Sequence, residues 1–236
     1  MKQILTISAY LALKEIWRNR GRFLLVSLVI ALITLLLLFI AALGEGLENG
    51  NREYISKLDG QLIVYQGRSD FLIQASRLGV ERVQEVLGIE GVADAGMIGT
   101  SNATLILDGD AEPLKVALLG VEPGRVGEPI VVKGRQLVGS TDEEVIIDGN
   151  TALRTELAVG DELTLRVTQG TEEVFFTLKI VGISDGQQFG LQPSIFVPFL
   201  IWDRIRPQSD AELNFSDVTA NIIAVRLVDP EDTEAV

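Results

Sequence analysis

The side chains able to do chemistry are mostly carboxylates. The 236 residues include 33 Asp and Glu against 20 Lys and Arg, with no histidine and no cysteine. Losing those two types removes thiolate nucleophiles, disulfides, Cys/His zinc sites and a Ser-His-Asp triad together. A general acid and base would both have to be Asp, Glu, Lys or Tyr. No spacing singles out a carboxylate pair for glycoside hydrolysis. Asp108-Gly109-Asp110 has metal-ligand residue types, yet Asp and Gly between two apolar runs supply the backbone angles of a hairpin turn. Asp142-Glu143-Glu144 and the acids near the end lack the oxygen-ligand spacing of a calcium loop and read as solvated charge. Gly91, Gly96 and Gly99 do not form G-x-G-x-x-G, and there is no G-x-x-x-x-G-K-[ST]. The expectation is a chain with no catalytic residue, no cofactor and no metal. The formal net charge of −13 argues against nucleic acid as a partner.

The charge is unevenly placed. Residues 1–43 hold five bases and one acid, and the remainder holds 15 bases and 32 acids. Between the basic head and the acidic body lies Phe23 to Leu43, 21 residues without a charge, with Ser27 and Thr34 as its only hydroxyls. At about 1.5 Å per residue this stretch matches a hydrocarbon core of about 30 Å. It shows no polar stripe of the kind a buried soluble helix carries. A transmembrane helix over 23–43 is expected, with the lipid bilayer as its surroundings. The competing reading, a cleaved signal peptide, fits less well: such apolar cores run about 7–15 residues behind a short lead. Arg18, Arg20 and Arg22 precede the span, and Glu45 and Glu48 follow it. The positive-inside rule then puts the N-terminus in the cytoplasm and residues 44–236 outside.

Residues 1–22 read as an amphipathic cytoplasmic elbow. Leu5, Ala9, Ala12, Leu13 and Ile16 share one side, and Lys14, Glu15 and Arg18 the other. Tyr10 and Trp17 are placed to sit at headgroup depth. The alternative is a helical extension of the span, interrupted near Asn19-Arg20-Gly21. Tyr10, Trp17, Arg18, Arg20, Arg22, Phe23 and Leu43 are thus the residues expected to set topology and anchoring. Ser27 and Thr34, seven apart, share a face. They either support packing against a dimer partner or bond their own backbone.

The outer body reads as α+β. Gln61 to Gln66 is a strand, Val80 to Leu87 a short helix stopped by Gly88, and Val92 to Leu107 and Leu114 to Val121 a hairpin. This β-α-β-β order is the front of a split βαβ, ferredoxin-like unit. After Glu122-Pro123-Gly124 come short strands at Val145 to Ile147, Glu162 to Val167, Val174 to Ile183 and Ser194 to Val197, with a helical turn or two from Asn150. They read as a small β-rich insert over 124–215. Asn221 to Asp229 is a further strand, returning the chain to the first subdomain, 44–123 plus 216–236. Asp229-Pro230-Glu231-Asp232 has the form of a helix start, from which a truncated or partial chain is expected. Phe71, Leu72, Ile73, Phe189 and Leu191 are apolar residues in expected loops; core filling is favoured over contact with a substrate or partner.

Leu11 to Phe23, the span, and Ala41 to Gly60 together resemble the start of an FtsX/MacB-type ABC transporter permease. GRQLV (Gly134–Val138), EEVIIDGNTA (Glu143–Ala152), LAVGDELTL (Leu157–Leu165), FTLKIVGIS (Phe176–Ser184) and SIFVP (Ser194–Pro198) are similar, in order, to segments of that family's extracytoplasmic core domain. The resemblance implies a permease subunit of export or lipoprotein-release type in the plasma membrane. It implies a dimer, an ATP-binding partner subunit, and motion relayed to the outer domain. It leaves open an adaptor or outer-membrane channel as a further partner. Such permeases have three more spans after the outer domain, which are not found in these 236 residues. The alternatives are a single-span anchored binding or adaptor module and an anchored hydrolase.

Overall fold

In a computed structural model the described residues are 14–15, 17–67, 73–107, 112–186, 188–189, 192–208, 218–231 and 233. The chain divides into two compact units, residues 1–49 and 50–236. Helix α1 runs Arg20–Ser56. Its Arg20–Gly46 portion has a mean hydropathy of 3.2 over its most apolar stretch and is long and apolar enough to cross a membrane. Leu24, Leu32, Leu36 and Phe39 are all more than half exposed, as are neighbours on every side, so this portion buries nothing against its own unit. A helix apolar all round has lipid or protein as its natural solvent. Thr34 donates to the Ile30 carbonyl at 2.9 Å, so of the two roles left open for this hydroxyl, bonding its own backbone is the one made here.

The second unit is sheet-rich. Its elements after α1 are β1 Leu62–Val64, a 3-10 turn Ile73–Ala75, β2 Leu78–Gly79, α2 Arg82–Leu87, β3 Val92–Ile106 and β4 Leu114–Val121. Then follow β5 Val131–Gly134, β6 Glu144–Asp148, α3 Gly149–Thr155, β7 Glu162–Gln169 and β8 Glu172–Ser184. The rest are β9 Gln188–Phe189, β10 Gln192–Pro198, α4 Phe199–Ile205, β11 Thr219–Ala220 and β12 Ile222–Leu227. The architecture is the expected α+β. β1, α2 and β3 make a split βαβ, because β12 lies between β1 and β3, antiparallel to both. β3 and β4 are the expected hairpin; its Asp108-Gly109-Asp110 tip lies outside the described residues.

β10 joins β4 in parallel and so carries the sheet on into β6, β8 and β5. β7 then pairs with both β8 and the far end of β3. The pairings therefore close a ring: β3, β4, β10, β6, β8, β7 and back to β3. Closure gives each of those six strands a partner on both edges over part of its length. Alternation along them sorts the side chains. Val116, Leu118, Val145, Ile147, Leu165 and Ile195 fill one cluster, with α4 packed into it. Ala117, Leu119, Ile146 and Phe196, one residue out of phase, fill a second together with Tyr54 and Val126. β4 and β10 are buried on both faces, which explains their unbroken apolar runs. Ile223, Val225 and Leu227 of β12 form a third cluster with Val83 of α2.

α4 carries no signal that separates it from the strand before it. Phe199 to Trp202 extends the apolar run of SIFVP before Asp203 and Arg204, and its helical form comes from packing on β3 and β4. Asp148 holds the opposite junction. It is fully buried at the end of β6 and caps α3 by accepting the Thr151 N–H. Its second oxygen accepts the Ser194 N–H of β10 at 2.8 Å. Burial pushes its carboxyl upward in pKa, against the pull of the N–H donors of Ser194, Thr151 and Asn150. Asp148→Ala strands two buried N–H groups and should cost about 2–4 kcal/mol, read as a lower urea midpoint at unchanged slope.

Candidate functional site

Two features follow from the sequence expectations: the apolar helix with its basic entry, and the place in the outer unit where the helical chain ends. Tyr10 lies outside the described residues. Trp17 is 82% exposed, and Arg18, Arg20 and Arg22 are exposed beside it. Asn19 donates to Glu15 O at 3.0 Å and Phe23 to Asn19 O at 3.1 Å, so helical bonding runs through Asn19. Phe23 and Leu43, 44% and 51% exposed, stand at the two ends of the uncharged stretch. Twenty residues separate them, or about 30 Å at 1.5 Å per residue.

Within the second unit, the last turns of α1 are tied in by Tyr54. Its ring is 1% exposed. It meets Phe189 edge-on with centroids 6.0 Å apart and Phe196 at 5.6 Å. Its hydroxyl donates to the Gly127 carbonyl at 3.0 Å. Burial drives the phenol far above its ordinary pKa, so it remains a donor at every physiological pH. One turn on, Lys57 pairs with Asp185 at 3.1 Å and also donates to the Gly186 carbonyl. That contact holds the Asp185 carboxyl below the usual carboxylate range. Phe189, an apolar residue of an expected loop, is thus core, and Ile73, partly buried, packs against the same cluster. Phe71, Leu72 and Leu191 lie outside the described residues.

The loop that receives the Tyr54 hydroxyl is itself pinned by Glu128. This carboxylate accepts the Gly124 N–H at 2.8 Å and the Leu137 N–H at 2.9 Å. Partial burial raises its pKa, and the two N–H bonds oppose the rise without cancelling it. A carboxyl with a raised folded-state pKa binds its proton more tightly when folded. Its stabilisation is complete below the unfolded value of about 4.3 and fades as pH rises through the folded value. Glu128 should therefore make the urea midpoint climb as pH falls towards the unfolded value of about 4.3, and Glu128→Gln should flatten that climb.

Trp202, which no pattern in the sequence marked, is the best-seated side chain of the outer unit. Gly99 and Gly120, neighbours on β3 and β4, leave a floor for its ring: a Cβ on either would overlap it. Its indole N–H donates to Ser101 Oγ at 2.9 Å, Phe199 lies 5.4 Å away, and Arg206 stacks over it at 5.3 Å. A glycine in a strand is the one available signal of such close approach. Of the acids read as solvated charge, Asp142 and Glu143 are exposed, Glu143 pairing with Arg204 at 2.7 Å, and Glu144 pairs with Arg135. Among the described residues, no three acids converge on a point where a metal could be held.

Over residues 23–236 the chain matches the family described as the MacB-like periplasmic core domain. Two solved structures are similar. The extracellular domain of the noncanonic ABC-type transporter YknZ from Gram-positive bacteria is 13% identical, over 73% of this chain and 86% of that one, with a TM-score of 0.48. The periplasmic region of MacB from Actinobacillus actinomycetemcomitans is 12% identical, over 71% and 73% of the two chains, with a TM-score of 0.49. Among curated proteins, none matches this chain.

Proposed function

Because this chain belongs to the MacB-like periplasmic core domain family, we propose that it is the anchor and outer domain of an ABC transporter permease of export or lipoprotein-release type. The observation that carries this reading is the family match running from Phe23 to the last residue, in a chain whose preceding and overlapping helix Arg20–Gly46 suits a bilayer. The role is mechanical. A separate ATP-binding subunit hydrolyses ATP, two permease subunits pair, and the motion reaches the outer domain along the helix whose last turn carries Tyr54. An adaptor or outer-membrane channel is a further partner open to the outer face. Residues 1–22 lie on the cytoplasmic side, 23–43 span the plasma membrane, and 44–236 stand outside. Trp17, Arg18, Arg20, Arg22 and Phe23, with Tyr10, fix the inner boundary, and Leu43 the outer one. Within the outer part, 44–123 plus 216–236 form one subdomain and 124–215 its insert.

The absence of cysteine makes a clean test of orientation possible. Leu153, 83% exposed, and Lys14 are replaced singly by cysteine in the full chain. A membrane-impermeant maleimide added to intact spheroplasts should label Leu153→Cys at once and Lys14→Cys only after lysis. The opposite pattern would overturn the orientation. The transport assignment is tested by co-expression with an ABC-type ATP-binding subunit from the same genome. Retention of that subunit on the tagged permease supports the reading, and failure to associate in any detergent or nanodisc condition counts against it.

A further inference from the structure

We propose that the opening in the side of the strand ring binds an oxyanion, a carboxylate or phosphate group on a small ligand. The opening exists because β3 changes partners along one edge. It pairs with β12 only as far as Ile98 and with β7 only from Thr104. Between these two residues that edge carries no strand among the described residues. The Thr100 N–H points into the opening, where it is met by Asn221 Oδ1 at 2.6 Å. Strand alternation turns the Asn102 N–H to the same side, with no strand there to accept from it.

Two cavities meet at this place, sharing Asn102 and Pro207 in their walls. The first, about 230 Å³, is lined by Arg77, Arg206, Trp202, Thr100 and Asn221 among others. The second, about 330 Å³, has Lys115, Arg166 and Gln192 in its wall. No carboxylate lines the first among the described residues, and the second has only Glu173, 3.5 Å from Arg166. In a chain with 33 acids and 20 bases, this is a local reversal of sign. A recess lined by one sign of charge focuses its field on a counter-ion.

The polar groups are held ready and incompletely used. Arg77 Nη1 donates to the carbonyls of Gln74 and Ser76, at 2.8 and 2.9 Å, which fixes its position without neutralising its charge. Arg206 is oriented by stacking on Trp202 and by an ion pair from Nε to Asp203 at 2.8 Å; among the described residues its outer N–H groups have no partner and can fork onto an oxyanion. Among the described residues the buried hydroxyl of Thr100, 6% exposed, has no hydrogen-bond partner, and neither has the buried Gln192 side-chain oxygen. Buried polar atoms without partners are rare enough to call for a ligand or water. The first cavity lies below the range of about 300–1,000 Å³ that holds drug-sized molecules, so the group bound there is small. The inference is independent of the transport reading.

The test uses the full chain in detergent micelles at low ionic strength, with Trp17→Phe so that Trp202 alone reports. Inorganic phosphate and succinate are titrated separately, by fluorescence and calorimetry. At least one should bind with a sub-millimolar Kd. Phosphate alone binding assigns a phosphate-bearing group, succinate alone a carboxylate, and both a site for either. Arg77→Gln, an exposed position that leaves the fold intact, should weaken binding about tenfold or more, as should Arg206→Lys, which loses the stacked planar fork. Lys133→Gln on β5 should change nothing. Binding of neither anion at 10 mM, or binding indifferent to both arginine variants, would overturn the proposal.

Discussion

Gly99→Ala and Gly120→Ala should each lower the stability of the outer unit by up to about 3 kcal/mol, and they should differ in how Trp202 rescues them. Both glycines lie beneath Trp202, but they meet different parts of it. A Cβ at Gly99 runs into the six-membered portion of the indole, and one at Gly120 runs into the Trp202 Cβ itself. Trp202→Ala alone removes a side chain that is 2% exposed and should cost about 3–5 kcal/mol. Combined with it, Gly99→Ala should cost almost nothing further, because the ring atoms it struck are gone. Gly120→Ala should keep most of its cost, because alanine retains the Cβ. A double-mutant cycle from urea midpoints reads the difference as a coupling energy. Equal coupling for the two glycines would show that α4 does not sit as described.

Tyr54→Ala is the second large effect. The ring lies between Phe189 and Phe196, at the end of the helix that runs back to the apolar stretch, and its truncation should cost about 3–5 kcal/mol. Tyr54→Phe keeps both ring contacts and removes only the donor to Gly127 O. It should cost about 1–2 kcal/mol, because a buried carbonyl is left without its partner. An independent readout is spectrophotometric titration. Tyr54 should stay silent near pH 10, the ordinary phenol value, so Tyr54→Phe should leave the phenolate absorbance gained there unchanged. If Tyr54→Phe lowers that absorbance, the pocket is open to water and the anchoring role fails. On the transport reading, Tyr54→Phe should leave the ATP-binding subunit attached while weakening the coupling of its ATPase rate to substrate.

Much of this fold was legible because local patterns were strong. The helix through Phe23 to Leu43 follows from uncharged length alone, and β4, expected over Leu114 to Val121, occupies those residues. β3, β6, β7, β8, β10 and β12 lie where branched apolar runs placed them, and Gly88 ends α2 as expected. α4 and β5 were not legible. Phe199 to Ile205 has the composition of a strand and becomes a helix by packing on the glycines of β3 and β4. β5 is four residues long, and its place is fixed by bonding to β8.

The sequence by itself determined the division into an apolar helix and an acidic α+β body, the lack of thiol and imidazole chemistry, and most strand positions. These depend on residue type and spacing, which are properties of the chain. Only the tertiary structure decided that β12 enters between β1 and β3, and that β10 lies parallel to β4 and closes a ring through β7. It also decided that Asp148, Glu128, Tyr54 and Trp202 carry the junctions. Backbone N–H and C=O groups are the same in every residue, so a strand's sequence says that it will pair and not with which edge. A glycine says that something comes close, and only the fold says that the something is Trp202.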